Sequence, residues 1–99
     1  MELQDLRHED FAPRVNDTFQ IRAGSSTIEA RLIEARKLGT GRRGRRDPFS
    51  LIFRGPRDVA VPQSIYQVDA GALGTLDIFL VTIGPDPNEE GMLYEAIFT

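Results

Sequence analysis

The arginines of this chain are concentrated in one short run that could bind anions. Four of the eleven arginines occur in Arg42-Arg43-Gly44-Arg45-Arg46. Each guanidinium offers a fork of N–H donors that matches phosphate or carboxylate, so Arg42, Arg43, Arg45 and Arg46 could contact an acidic protein partner or nucleic acid. The run lacks an aromatic residue on which a base could stack. The composition favours a third interpretation, a solvated hairpin tip whose charges prevent strand aggregation.

Candidate acid–base chemistry is limited to the only histidine, His8. Asp5, Glu9 and Asp10 are close in sequence, and a carboxylate beside an imidazole can orient it for proton transfer. No motif ties His8 to a serine, cysteine or lysine nucleophile. A surface histidine is the favoured interpretation, and we predict that the chain is not an enzyme.

Metal and phosphate motifs are equally weak. The acidic stretch from Asp86 to Glu90 lacks the alternating acidic ligands and terminal glutamate of a calcium loop. The stretch from Gly39 to Gly44 lacks the Lys-Ser/Thr ending of a phosphate loop. The chain contains no cysteine, which removes thiolate chemistry and the usual zinc sites. We therefore predict no cofactor, no metal and no small-molecule substrate.

Length and charge place the chain among small globular domains. Its 99 residues are 40% hydrophobic and carry a net charge of −3, which predicts one domain spanning residues 1–99. No apolar run approaches the ~20 residues of a membrane helix, so no membrane insertion is expected. The acidic N-terminus from Met1 to Leu6 does not resemble a secretory signal. We expect the protein to be cytoplasmic as synthesised, although export as part of an assembly is compatible with the sequence.

Alternating apolar residues predict an all-β fold. Leu3 to Pro13 should form one or two helical turns, with Leu6 and Phe11 closing one end of the fold. The step Leu32-Ile33 interrupts the alternation and predicts a β-bulge. Turn signals separate six short strands, which predicts an antiparallel meander. The expected strands are about 18–23, 27–38, 49–54, 64–69, 75–83 and 92–98.

The fifth predicted strand, Thr75 to Ile83, is apolar on both faces for most of its length. Both faces must then be covered, either at the centre of a small barrel or two-layer sandwich or under a partner. Aromatic residues on each strand predict one shared core, so replacing Phe53 or Phe79 by alanine should cost about 3–5 kcal/mol. The expected core aromatics are Phe19, Phe49, Phe53, Tyr66, Phe79 and Phe98.

The last strand, Met92 to Phe98, also carries apolar residues on both faces. It could close a barrel by pairing with the first strand. Alternatively, it could leave an edge that pairs with a neighbouring molecule. In that case Met92, Tyr94 and Phe98 would contact the partner.

The chain resembles a bacterial family of small domains of unknown function. The most specific element is Pro48-Phe49-Ser50-Leu51-Ile52-Phe53-Arg54-Gly55-Pro56, followed by Pro62-Gln63 and by Tyr94-Glu95-Ala96-Ile97-Phe98. Members of such a family often accompany phage-tail-like collar proteins, so the resemblance implies a role in an assembly. It implies no catalytic residues, and the run from Arg42 to Arg46 is more basic than the corresponding loop of the family.

The sequence therefore predicts a non-enzymatic module for protein interaction or structural assembly, with a protein partner or self-assembly, as an accessory of a phage-tail-like or surface assembly. The alternative is a small barrel that binds nucleic acid through Arg42 to Arg46, with an affinity that falls steeply with salt.

Overall fold

Six antiparallel strands close into a barrel in the computed structural model, which describes residues 3–41, 46–88 and 90–99. A short helix α1 (His8–Phe11) precedes the barrel and lies between 3-10 turns at Leu3–Asp5 and Ala12–Arg14; a third turn spans Gly71–Leu73. The all-β class is confirmed, and the barrel is the form adopted. The strands are β1 (Thr18–Ala23), β2 (Ser26–Lys37), β3 (Phe49–Gly55), β4 (Ser64–Asp69), β5 (Thr75–Pro85) and β6 (Met92–Phe98).

The order of the strands differs from the expected simple meander. Around the barrel it is β1-β2-β3-β6-β5-β4, with β4 paired to β1 and β6 paired to β3. The prediction that β6 pairs with β1 is therefore wrong. Two three-stranded meanders are joined by the 56–63 connection, which links strands that are not neighbours. Closure leaves every strand paired on both sides and removes the exposed edges that an open sheet would have.

Side-chain alternation fills the interior of the barrel. Because successive residues of a strand point to opposite faces, alternate positions of β5 and β6 face the interior. These include Leu76, Ile78 and Leu80 on β5 and Tyr94 and Ala96 on β6, all buried. The remaining strands contribute the rest of the core, including Phe19, Ile21, Ile28, Ala30, Leu32, Phe49, Leu51, Phe53, Val68 and Phe98.

Two irregularities bend the strands. The pairing of β2 with β3 shifts register between Leu32 and Glu34, which confirms the predicted bulge. A second shift separates Thr82 from Gly84 in the pairing of β5 with β6. An extra residue in one strand increases the local twist, which helps a small sheet curve into a closed barrel.

The N-terminal segment closes one end of the barrel, as predicted. Leu6 and Phe11 are fully buried. The ring of Phe11 lies 5.8 Å from both the Phe49 and the Phe98 rings, and those two rings stack at 4.6 Å. Aromatic pairs at these separations add stabilisation beyond the burial of apolar area.

The 56–63 connection closes the other end and is held by hydroxyl groups. The Tyr94 hydroxyl accepts a hydrogen bond from the Val61 amide at 3.3 Å and donates to the Val59 carbonyl at 3.2 Å. The Thr82 hydroxyl donates to the Val61 carbonyl, and the Tyr66 hydroxyl donates to the Pro62 carbonyl. A connection that crosses a barrel end cannot satisfy its backbone groups in a sheet, so side chains take that role.

One core prediction is wrong. Phe79 is 50% exposed and lies on the outer face of β5, whereas Phe53 is fully buried as expected. Leu76, Ile78 and Leu80 occupy the interior positions of β5, so Phe79 must point outward by alternation. Tyr66, also expected in the core, is partly buried and packs against it.

Among the residues that the structure describes, no helix is long and apolar enough to cross a membrane.

Candidate interaction surface

Only one member of the arginine run lies among the described residues. Arg42, Arg43 and Arg45 fall outside them, and their contact with a partner stays a prediction. Arg46 is half-buried at the end of the barrel that the N-terminal segment closes. Its guanidinium donates hydrogen bonds to the Leu6 carbonyl at 2.6 Å and to the Thr99 carbonyl at 3.2 Å.

The same guanidinium lies over two core aromatic rings. Its central carbon is 5.7 Å from the centre of the Phe49 ring and 5.4 Å from that of Phe98. Cation–π attraction and two carbonyl acceptors together fix the Arg46 side chain. Arg46 therefore ties the N-terminal segment to the last residues of β6, a structural role that its position in a basic run did not indicate.

His8 also makes internal contacts. Its Nε2 donates to the Ala35 carbonyl at 3.0 Å, and its ring lies edge-on to Phe49 at 6.4 Å. Its Nδ1 is 3.8 Å from the Glu9 carboxylate. The pKa of the Glu9 carboxyl is lowered, chiefly by a hydrogen bond from the Glu9 backbone amide and to a smaller extent by the Lys37 ammonium at 3.4 Å. The imidazole thus fastens helix α1 to β2.

The acidic stretch near residue 86 is built around Arg54. The Arg54 guanidinium lies 2.9 Å from Glu90 and 3.5 Å from Asp86, whose side chain is buried. Asp86 also accepts a hydrogen bond from the Asn88 amide, so it forms part of a turn held by an ion pair. Glu89 lies outside the described residues. Within those residues, no group of three or more His, Asp or Glu side chains could hold a metal ion.

A groove of about 650 Å³ lies beside the 56–63 connection. Ala23, Ile28, Val59 and Val61 form much of its wall. Glu29 is the one titratable side chain in the lining of this groove. The residues that line this groove do not pair an acid with a base, the arrangement that general acid–base chemistry uses.

Strand β6 does not have the edge on which one prediction depended. It pairs with β3 along its whole length and with β5 at its start and middle. Tyr94 is 1% exposed and Phe98 is 5% exposed, because both face the interior. Met92 is partly buried against the core. Strand addition at β6 is therefore blocked in the closed barrel, and Tyr94 and Phe98 can reach a partner only if the barrel opens.

The outer surface carries the apolar residues that the barrel leaves uncovered. Ile65 on β4, Phe79 on β5 and Ile97 on β6 are 66%, 50% and 59% exposed. These strands are neighbours, and Ile65 is directly opposite Phe79. We call Ile65, Phe79 and Ile97 the outer patch. Single exposed apolar residues are normal on protein surfaces, but large residues on adjacent strands of one face are typical of a contact surface.

A carboxylate lies beside the outer patch. Glu95 is directly opposite Val81 on β5 and Ile52 on β3. Two residues away along its own strand are Leu93 and Ile97, on the same face. The four nearest positions of the outer face around Glu95 are thus aliphatic.

The sequence alone predicted part of this outer surface. The two-sided apolar pattern of Thr75 to Ile83 predicted that each face would be covered, by the fold or by a partner. The barrel covers one face of β5 and leaves Phe79 exposed on the other. The position of Glu95 was not foreseen, since its aliphatic neighbours come from three strands whose pairing the sequence does not show.

The fold and this surface define a small closed β-barrel with a patch of exposed apolar residues on its outer face. The chain belongs to the family described as Domain of unknown function (DUF6916), whose model matches residues 6–98. That match confirms the resemblance to a family of unknown function. Comparisons with curated proteins and with solved structures gave no significant match.

Proposed function

We propose that this protein is a protein-interaction module that binds its partner through the outer face of β4, β5 and β6. The observation that carries the proposal is the half-exposed Phe79, which lies opposite Ile65 on a barrel whose interior is already filled. Neither residue contributes to the buried core. A partner that covers them supplies the second layer that the two-sided strand β5 lacks.

Burial of this patch gives a useful amount of binding free energy. Full burial of one large apolar side chain is worth about 1.5–3 kcal/mol. Aromatic residues such as Phe79 are enriched among the few residues that dominate protein interfaces. Because the barrel is closed, the partner must bind to side chains on the face and not to backbone groups at a strand edge.

The arginine run does not carry this proposal. Arg46 is engaged by Leu6, Thr99 and two aromatic rings, so a partner that drew it away would weaken the closure of the barrel end. Contact of Arg42, Arg43 and Arg45 with an acidic protein or with nucleic acid stays a prediction, as does a role in a phage-tail-like assembly.

Site-specific photo-crosslinking in the native host tests the proposal. A photoreactive phenylalanine analogue at position 79 should give discrete adducts with another protein. The matched control carries the same analogue at Glu29, an exposed position on the outer face of β2. Adducts of equal yield from both positions, or none from position 79, would refute the proposal.

Light scattering of the purified chain at low and high salt identifies self-association. A monomer at both salt concentrations assigns the adducts to a different protein. An oligomer that Phe79→Ser dissociates assigns them to a second copy of the chain.

A further inference from the structure

Glu95 is a partly buried residue whose carboxylate has no cationic partner among the residues that the structure describes. Some other acidic residues of the described chain have one: Glu90 and Asp86 pair with Arg54, and Glu34 pairs with Arg36 at 3.0 Å. For Glu95, no ion pair or side-chain hydrogen bond with any other described residue is present. Solvent at the open face is therefore what stabilises its charge.

Covering the outer patch removes that solvent. Ile97 is one of the aliphatic neighbours of Glu95, so a partner seated on the patch also lies over the carboxylate. A carboxylate buried in an interface without a countercharge is strongly unfavourable, and one that meets a cation can be strongly favourable. The partner must then supply the cation, because Arg54, on the adjacent strand, is already paired with Asp86 and Glu90.

We propose that the outer face binds a protein segment in which an arginine or lysine is flanked by apolar side chains, with the cation on Glu95. The proposal rests on the interaction function proposed above and names the chemistry of its partner. Apolar residues of the segment cover Phe79 and Ile97 while the cation meets the carboxylate. Arginine suits this position better than lysine, because its fork of donors can bind both carboxylate oxygens.

Charge favours such a partner over a second copy bound face to face. In a two-fold dimer the same patch meets itself, so the Glu95 carboxylates of the two copies would approach each other. Asp77 is exposed on the same face of β5 and adds to the like charge. Opposed like charges disfavour that pairing, whereas a cationic segment is attracted by both carboxylates.

The experiment uses a displayed library of random linear peptides selected on the purified full chain. Peptides that also bind the Phe79→Ser variant are removed, so the survivors require the outer patch. We expect the survivors to be enriched in arginine or lysine with apolar residues on either side. Affinities of synthetic survivors are then measured by fluorescence anisotropy on the wild type and on variants.

Glu95→Gln should weaken a surviving peptide about tenfold to a hundredfold, the range for a charge-assisted hydrogen bond. Glu29→Gln is the matched control and should leave the affinity unchanged, because Glu29 lies on the outer face of β2. The reversal Glu95→Arg should abolish binding, and replacing the peptide's arginine by glutamate should restore it. Circular dichroism melts of all variants show that the barrel remains folded.

Each outcome decides the proposal. Survivors without a cation, an affinity that Glu95→Gln leaves unchanged, or a library without survivors would overturn it. Self-association that Phe79→Ser abolishes would also overturn it, because the occupant would be a second copy. In all of these cases adducts from position 79 would still support the interaction function, whereas their absence would remove both proposals.

Discussion

The two faces of strand β5 both carry large apolar residues but have opposite environments. Leu76, Ile78 and Leu80 point into the barrel and are almost fully buried, whereas Phe79 on the other face is half exposed. Burial in a closed barrel depends on which alternate set faces inward and not on hydrophobicity alone. The inner face therefore forms the stabilising core, whereas the outer face keeps an aromatic ring exposed to solvent.

The largest effect is expected on the inner face, at Phe53. Its ring is fully buried and lies 5.3 Å from that of Phe19. Phe53→Ala leaves a cavity between strands and should lower the free energy of unfolding by about 3–5 kcal/mol, a large share of the stability of a small domain. Urea denaturation measures it. A loss below about 1 kcal/mol would show that Phe53 does not belong to a tightly packed core.

A smaller effect should follow from losing the Tyr94 hydroxyl, which lies at the end of the inner face. Tyr94→Phe keeps the ring but leaves the Val61 amide and the Val59 carbonyl without that partner. We expect a loss of about 1–3 kcal/mol in the free energy of unfolding. Hydrogen exchange at the Val61 amide should also become faster.

Tyr66→Phe is the matched control for Tyr94→Phe. Its hydroxyl bonds to the Pro62 carbonyl at an exposed position, where water can replace it. Equal losses for the two variants would show that the 56–63 connection is not held mainly by Tyr94.

Removing the Arg46 side chain should lower the free energy of unfolding by a similar or slightly smaller amount than the loss of the Tyr94 hydroxyl. Arg46→Ala removes the donors to the Leu6 and Thr99 carbonyls, and we expect a loss of about 1–2 kcal/mol in the free energy of unfolding. Thermal melts followed by circular dichroism measure it. Arg22→Ala, an exposed arginine on β1, should change the melting temperature little. A larger effect at Arg22 would contradict the structural role of Arg46.

Sequence patterns were sufficient for the strands, the bulge at Leu32 and the helical segment that buries Leu6 and Phe11. These features follow from local alternation and from residues close in the chain. The pairing of β6 with β3 and β5 was not predictable in this way, because hairpin signals do not determine the partners of strands joined by a long connection. Of the two alternatives for β6, closure of the barrel is confirmed and an open edge at Tyr94 and Phe98 is excluded, although β6 closes the barrel through β3 and β5 and not through β1.

The sequence pattern also could not predict which side of β5 faces inward. Phe79 and Ile78 are both apolar, and only the closed arrangement of all six strands decides which of them is buried. Arg46 shows the same limit for charge. The sequence showed a basic residue, but the two carbonyls and the Phe98 ring that bind it come from segments far away in the sequence.

The smallest effect on stability is expected on the outer face, and it gives the sharpest test of the comparison. Phe79→Ser removes an aromatic ring that is half exposed, so the free energy of unfolding should change by no more than about 0.5–1 kcal/mol. The same variant should abolish the adducts from the outer face when a photoreactive residue is placed at Ile97. Urea denaturation and crosslinking yield are measured on the same protein.

A change in stability at Phe79 as large as that at Phe53 would show that both faces of β5 are structural. An unchanged adduct yield would show that the ring does not contribute to binding. A Phe79→Ser protein that is stable but no longer crosslinks is the result that separates the two faces. The inner apolar residues of β5 would then serve folding, and the outer ones would serve binding to the partner.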